Sequence, residues 1–294
     1  MDNLNPDMSS ALQKLLALQG FCIFRMLHED DILKLNSYCN TLFDNHKQEF
    51  VSSSHFLPYD ESVRINNILH AILNKPFVEM FPYLQLLGGT LAAKYKSSSI
   101  LKAHNDWSIV DESHYNSYNL WIPLVDTNKE NGTLGLIPGS HLWKQNLRGL
   151  NIPGSFEKYT DKLMKTGYEP ALQAGEVILY NHKLVHYSRP NTTAKPRHVA
   201  IIGAKDKDAE LQVSFCLDGK NIETYKAQEE DFYVFDAELI KQRNRLINTQ
   251  TILQTNVSWT EIEVEFKTNL PEMFLNLIPE RQSFITKLLQ KINL

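Results

Sequence analysis

Residues 118–138 read YNLWIPLVDTNKENGTLGLIP. Two apolar runs, YNLWIPLV and TLGLIP, flank a polar stretch ending in Asn131-Gly132, a dipeptide suited to a tight turn because both positions tolerate positive φ. Outward from there the same texture continues, with LLGGTLAAKY (86–95) before it and EVILYN (176–181), RHVAII (197–202) and LQVSFCL (211–217) after it. The runs are short, divided by turn residues, and not interleaved with helical patterns, which excludes a βαβ sheet. Residues 85–217 therefore read as a mainly β sandwich or jelly roll.

Helices are expected on the flanks. Met8–Gln19 carries Leu12, Leu15 and Leu16 at helical spacing and stops at Gly20. FCIF (21–24) reads as a short strand. HEDDILKLNSYCNTLF (28–43) reads as an amphipathic helix with Ile32, Leu35 and Leu42 inward. Beyond 217, VSWTEIEVEF (257–266) alternates like a strand, and ERQSFITKLLQKI (280–292) reads as a terminal helix. The expectation is one domain over 1–294, with a core at about 15–217 and an appendage, 218–294, packed on it.

Composition narrows the function classes. Of 294 residues 43% are apolar and 22% charged, the balance of a soluble globular chain. The net charge of −4, without a long basic run, argues against nucleic acid or an anionic membrane and leaves a small molecule as the expected partner. Three widely spaced cysteines (Cys22, Cys39, Cys216) fit reduced thiols and a cytoplasmic setting. MDNLNPDMSS lacks the basic and apolar regions of a signal peptide, and the final KINL is no peroxisomal address. No apolar run approaches the roughly 18 residues of a membrane span.

Chemistry concentrates in LKAHNDWSIV (101–110) and GEVILYNHKLVHYSRPN (175–191). On a strand, i and i+2 share a side, so His104 and Asp106 can reach one ion together. His28 and Asp30 have the same spacing but open a helix, where acidic residues suit the dipole. A third ligand must come from His182 or His186. Four strand residues span about 13 Å, so only one of the two can bind. An arginine on an adjacent strand, Arg197, would hold a carboxylate bidentately. Two histidines and one carboxylate leave open positions on iron(II), the facial-triad arrangement.

AHNDW (103–107), NLWIPLVDTNKENGTLGLIPGSH (119–141) and GEVILYNHKLVHYSRPNTTAKPRHVAI (175–201), in that order, resemble the phytanoyl-CoA dioxygenase-like family of Fe(II)/2-oxoglutarate oxygenases. The resemblance spans roughly residues 15–205. It implies a double-stranded β-helix (jelly roll, cupin-like) core. In the family an arginine follows the distal histidine by eleven positions; here Arg197 follows His186 so, which implies His104, Asp106 and His186 as the iron ligands. It further implies that Arg197, Ser188 and Trp121 contact 2-oxoglutarate, and that His141, in the PGSH corner, is structural. The implied activity is hydroxylation of an unactivated C–H with O2, releasing succinate and CO2; desaturation or epoxidation is the variant outcome. Asp106 argues against a halogenase, which lacks the carboxylate. The competing class, a non-catalytic jelly-roll binding or sensor protein, would lack a ligand or the arginine, and none is missing.

For the substrate, Asn105 and Trp107 alternate away from the ligands and are expected at the rim. Asp111 and Glu112 read as a solvated loop. Residues 142–172 form a long connection carrying Arg148, Trp143 and Phe156, with Gly149 and Gly154 as hinges. It is expected to close over the iron and to bring Arg148 to a polar or anionic substrate group.

Overall fold

The computed structural model describes residues 6–44, 48–233, 236–252 and 257–277. In chain order the elements are α1 (Pro6–Gln19), β1 (Phe21–Arg25), α2 (Glu29–Phe43), β2 (Phe50–Ser52), α3 (Tyr59–Met80), β3 (Leu84–Lys94), β4 (Leu101–His104) and β5 (Ser117–Pro123). They continue with β6 (Leu134–Leu136), α4 (Thr160–Leu163), β7 (Glu176–Asn181), β8 (His186–Ser188) and β9 (Arg197–Asp206). The last are β10 (Gln212–Phe215), β11 (Asn221–Lys226), α5 (Ala237–Arg243), β12 (Leu246–Thr251) and α6 (Trp259–Asn269). A six-stranded sheet runs β1-β7-β5-β9-β3-β2, and a smaller one runs β4-β8-β6. Every described pairing in them is antiparallel. The jelly roll expected from the short strands is the fold observed.

Alternation sorts the large sheet's residues. Leu91, Leu120, Leu179 and Ile202 face outward and bury against Leu35 of α2 and Ile65, Leu69 and Phe77 of α3. Ala92, Trp121, Ile178, Tyr180 and Val199 face inward and meet Leu134, Leu136 and Leu184 from the side of the small sheet. By the same period Lys94, Asn119 and Arg197 point inward. The functional side chains therefore occupy the space between the sheets.

One expectation is corrected and two are refined. Residues 257–266 do not form a strand. Ser258 and Glu261 make a reciprocal capping box that starts α6, and Ile262 and Phe266, one turn apart, form its buried stripe. Glu-Ile-Glu-Val-Glu imitates strand alternation, but the cap decides. Asn131-Gly132 does turn the chain (Gly132 φ 77°), yet it makes no hairpin. The turn, closed by Thr133 N donating to Asn128 O at 2.9 Å, carries the chain from β5 in one sheet to β6 in the other. Finally, His28 caps α2 without a side-chain hydrogen bond; only the acidic first turn acts there.

Helix α3 has no counterpart among the expected elements, although Ile65, Leu69, Leu73 and Phe77 repeat every four residues. The expected terminal helix at 280–292 lies outside the described residues. A third sheet, β10-β11-β12, spans position 217, so the expected edge of the core falls inside it. Residues 142–172 are not an open loop throughout. Trp143, Phe156 and Leu163 are buried with Ile262 and Phe266 of α6. Among the described residues no helix is long and apolar enough to cross a membrane.

Candidate metal centre

His104 ends β4 and His186 begins β8, and the two are direct partners across that antiparallel pair. Pairing brings their rings to 4.2 Å between centroids. Each ring places Nδ1 against a main-chain carbonyl two residues earlier, Lys102 O at 2.7 Å and Leu184 O at 3.0 Å. A carbonyl only accepts, so Nδ1 carries the proton and Nε2 keeps a lone pair facing inward. Burial pushes the His186 pKa down to about 4, which keeps that lone pair free at neutral pH.

Asp106 lies two residues past His104, with Oδ1 3.8 Å from His186 Nε2. His104, Asp106 and His186 each offer a ligand atom, all within 4.8 Å of one another. Burial alone would raise the Asp106 pKa, but the neighbouring His186, His182 and His104 and a bond from Asn119 outweigh it and hold it at about 2. The carboxylate is thus ionised and the His186 imidazole neutral, the forms in which these groups bind a divalent metal.

His182 is buried but outside the cluster. Its Nδ1 lies 3.0 Å from Ser117 Oγ, and its main-chain oxygen accepts from Asp106 N at 3.0 Å. His141 is also apart, with Nε2 3.1 Å from Ala17 O under Gly20. A side chain at Gly20 (φ 85°) would collide with His141 at 2.6 Å, so Gly20 ends α1 and seats the PGSH corner together.

Deeper between the sheets sit two buried cations. Arg197, 3% exposed, donates Nη1 to Gly132 O and to Ser188 Oγ (3.3 Å), and its Cζ lies 5.2 Å from the Trp121 ring centre. Its Nε has no partner. Lys94, also 3% exposed, reaches Ser188 Oγ at 3.1 Å and Arg189 O at 2.5 Å. Burial, then the charge of Arg197, lowers the Lys94 pKa to about 7. Among the described ion pairs neither cation has a carboxylate. Buried charge without a counterion is costly, so this cation pair is suited to an anionic partner. Arg197, Ser188 and Trp121 lie together, and Lys94 joins them at Ser188; Asn119 had no role in the sequence reading.

The substrate-side residues fare differently. Asn105, Trp107 and Arg148 line a cavity of about 510 Å³ beside His104. Asn105 Nδ2 is already spent on Lys183 O (2.6 Å) and Gln145 Oε1 (3.1 Å). Glu112 is not a solvated loop residue. It grips Arg148 through Nη1 (2.9 Å) and Nη2 (2.5 Å), with side-chain exposures of only 12% for Arg148 and 17% for Glu112. Arg148 Nε donates to the Asp106 carbonyl at 2.6 Å. Arg148 therefore ties the 142–172 segment to the ligand strand, and its charge is spoken for.

The phytanoyl-CoA dioxygenase (PhyH) family model matches residues 34–199, more than half of the chain. A Dictyostelium discoideum phytanoyl-CoA dioxygenase domain-containing protein 1 homolog is 32% identical over 103 residues, 32% of this chain and 37% of that protein. An Arabidopsis thaliana phytanoyl-CoA dioxygenase is 31% identical over 108 residues, 36% of this chain and 38% of the other. The match thus spans little more than a third of these relatives' length. In fold, the chain is similar to the non-heme alpha-ketoglutarate-dependent carbocyclase SnoK from nogalamycin biosynthesis, with TM-score 0.55, 16% identity, and coverage of 71% of this chain and 87% of that one. It is also similar to the epimerase SnoN, solved with Fe3+, alpha ketoglutarate and nogalamycin RO, with TM-score 0.52, 17% identity, and coverage of 70% and 87%.

Proposed function

Because the chain belongs to the phytanoyl-CoA dioxygenase (PhyH) family, we propose that it is an Fe(II)/2-oxoglutarate-dependent oxygenase that hydroxylates a C–H bond of a small molecule. The observation that carries this reading is the coincidence of two complementary sites in one inter-sheet space. His104, Asp106 and His186 converge as metal donors, and Arg197 and Lys94 stand beside Ser188 as unpaired buried cations. The donor chemistry fits iron(II), and the cation pair fits the far carboxylate of a dicarboxylate. Bound iron supplies activation of O2, coupled to oxidative decarboxylation of 2-oxoglutarate. One oxygen atom enters succinate, the other enters the product, and CO2 leaves.

The chain's own residues position and exclude. The Nδ1 bonds to Lys102 O and Leu184 O fix both imidazoles, and Asn119 fixes the Asp106 carboxylate. Arg197 anchors the co-substrate, with Trp121 packed on the guanidinium and Ser188 Oγ between the two cations. Trp107 and Asn105 line the substrate's approach at the cavity. We further read the chain as a single oxygenase domain with residues 218–294 packed on the core, supported by Ile262 and Phe266 of α6 sharing one apolar cluster with Ala103 and Tyr187. A cytoplasmic setting, and a small-molecule partner rather than nucleic acid or membrane, rest on charge and composition.

The test is anaerobic titration of the protein with Fe(II) and 2-oxoglutarate, followed by exposure to 18O2. The expected result is a visible absorption band that needs both components, then succinate carrying label. Hydroxylation also labels the product, whereas desaturation leaves it unlabelled. A complete protein that binds neither iron nor 2-oxoglutarate would identify the binding or sensor class instead.

A further inference from the structure

Resting on that oxygenase reading, the cavity beside His104 carries an inference about what is oxidised. Its volume of about 510 Å³ suits one small organic molecule. His104 is on its wall, so an occupant lies against the metal donors.

The electrostatics of the wall are closed. Among the described residues its cations are Lys102 and Arg148, and each faces a carboxylate. Arg148 is held bidentately by Glu112, and Glu112 Oε2 also accepts from Ser108 Oγ at 3.1 Å. Lys102 Nζ lies 3.9 Å from Glu157 Oε2 at the solvent edge. The mostly buried Arg148–Glu112 pair matters more than the exposed one, because a desolvated pair presents almost no net field to a ligand and is costly to break. Phosphate recognition needs the reverse, several unpaired cations or main-chain N–H groups converging on one point. The remaining wall is apolar where it is broad, with Trp107, Ile152 and Phe156. Among the polar groups of the wall, both Nδ2 bonds of Asn105 are made inside the protein, while its Oδ1 accepts none from the described residues. That oxygen is an acceptor awaiting a hydroxyl or N–H.

We propose that this cavity takes an uncharged small molecule, with an apolar ring or chain along Trp107, Ile152 and Phe156 and a hydroxyl or amide donor on Asn105 Oδ1. The paired charges of the described wall disfavour acyl-CoA thioesters and other phosphate-bearing substrates. This departs from the substrate in the family's name.

The test uses the full chain loaded with Fe(II) and 2-oxoglutarate under nitrogen and three probes: Nile red (neutral), 8-anilino-1-naphthalenesulfonate (anionic) and palmitoyl-CoA. Nile red should bind at least about ten-fold more tightly than either anion, a difference of about 1.4 kcal/mol. Filling the cavity with Ile152→Trp, or with Leu147→Trp should the first variant fold poorly, should abolish its signal. Glu112→Gln releases the charge of Arg148 and should raise the affinity for the sulfonate about ten-fold. An anionic probe binding as tightly as Nile red in a manner blocked by Ile152→Trp overturns the proposal. So does an absent Nile red signal, or one indifferent to the filled cavity. A portion of the same preparation, without any probe, is then exposed to O2 and assayed for succinate; its absence sinks the oxygenase reading and leaves the charge preference of the cavity to the dyes.

Discussion

Asn119 Nδ2 donates to Asp106 Oδ2 at 2.9 Å, from the middle of β5 across to the residue that follows β4. This bond leaves Oδ1 as the ligand atom and fixes the plane of the carboxylate. Asn119→Ala should weaken iron(II) binding about 10- to 100-fold, the usual penalty for losing a bond to a ligating group. Asn119→Asp should be worse, since it adds a second negative charge. Anaerobic calorimetric titration reads both; an unchanged affinity would show that the bond does no orienting.

Two nearby histidines should separate cleanly. His186→Ala, like His104→Ala and Asp106→Ala, should abolish stoichiometric iron binding. His182→Ala should retain it while lowering thermal stability, because the ring bonds Ser117 and is not among the clustered donor atoms. Metal content after desalting decides, and loss of iron in His182→Ala with retention in His186→Ala reverses the assignment.

Arg197→Met should raise KM for 2-oxoglutarate by about 30-fold or more, given that losing a buried charge-assisted pair costs roughly 2–5 kcal/mol. Lys94→Met should raise it less and should also change the pH profile. With a folded pKa near 7 against 10.5 unfolded, the folded chain binds fewer protons between those values. Charged Lys94 therefore costs stability below about pH 7, and the cost is relieved as pH rises. A bound carboxylate pulls the pKa back up, so co-substrate binding takes up a proton above pH 7 and KM should climb with pH there. In Lys94→Met that climb should be absent, read by initial rates across pH 6.5 to 9, a range chosen to bracket the lowered pKa.

Arg148 and Glu112 should behave as one unit. Arg148→Ala should cost on the order of 3 kcal/mol in denaturant unfolding, since it strands a mostly buried carboxylate and removes the donor to Asp106 O. The double variant with Glu112→Ala should cost clearly less than the sum of the singles. Additive costs would mean that the pair is not coupled.

The short strands were legible because turn residues separate them and the inward and outward sets alternate. Residues 257–266 misled because glutamates at every second position imitate a strand, while the capping box sits one residue upstream of the apolar stripe. Residue order alone leaves His182 and His186 open as the third ligand; the family resemblance, through the spacing of His186 to Arg197, implies His186. Asn119 and Glu112 could not be named: each acts across a sheet or a loop, through register and packing that no local pattern encodes. Glu112 and Arg148 in particular look like solvated charges until the fold places them together.

The pairing of His104 with His186 makes any bound metal a clasp between two strands far apart in the chain. Ala103 N, beside the first ligand, donates to Thr160 Oγ1 at 3.0 Å, so the clasp extends to the segment that walls the cavity. Without it, β4 is held to β8 by a short, irregular ladder. Iron availability then becomes a determinant of how long the protein survives: a hundred-fold excess over Kd adds about 2.7 kcal/mol to the folded state. Chelation should make β4 and residues 142–172 the first peptides to exchange deuterium, and a starved cell would clear the enzyme as well as silence it.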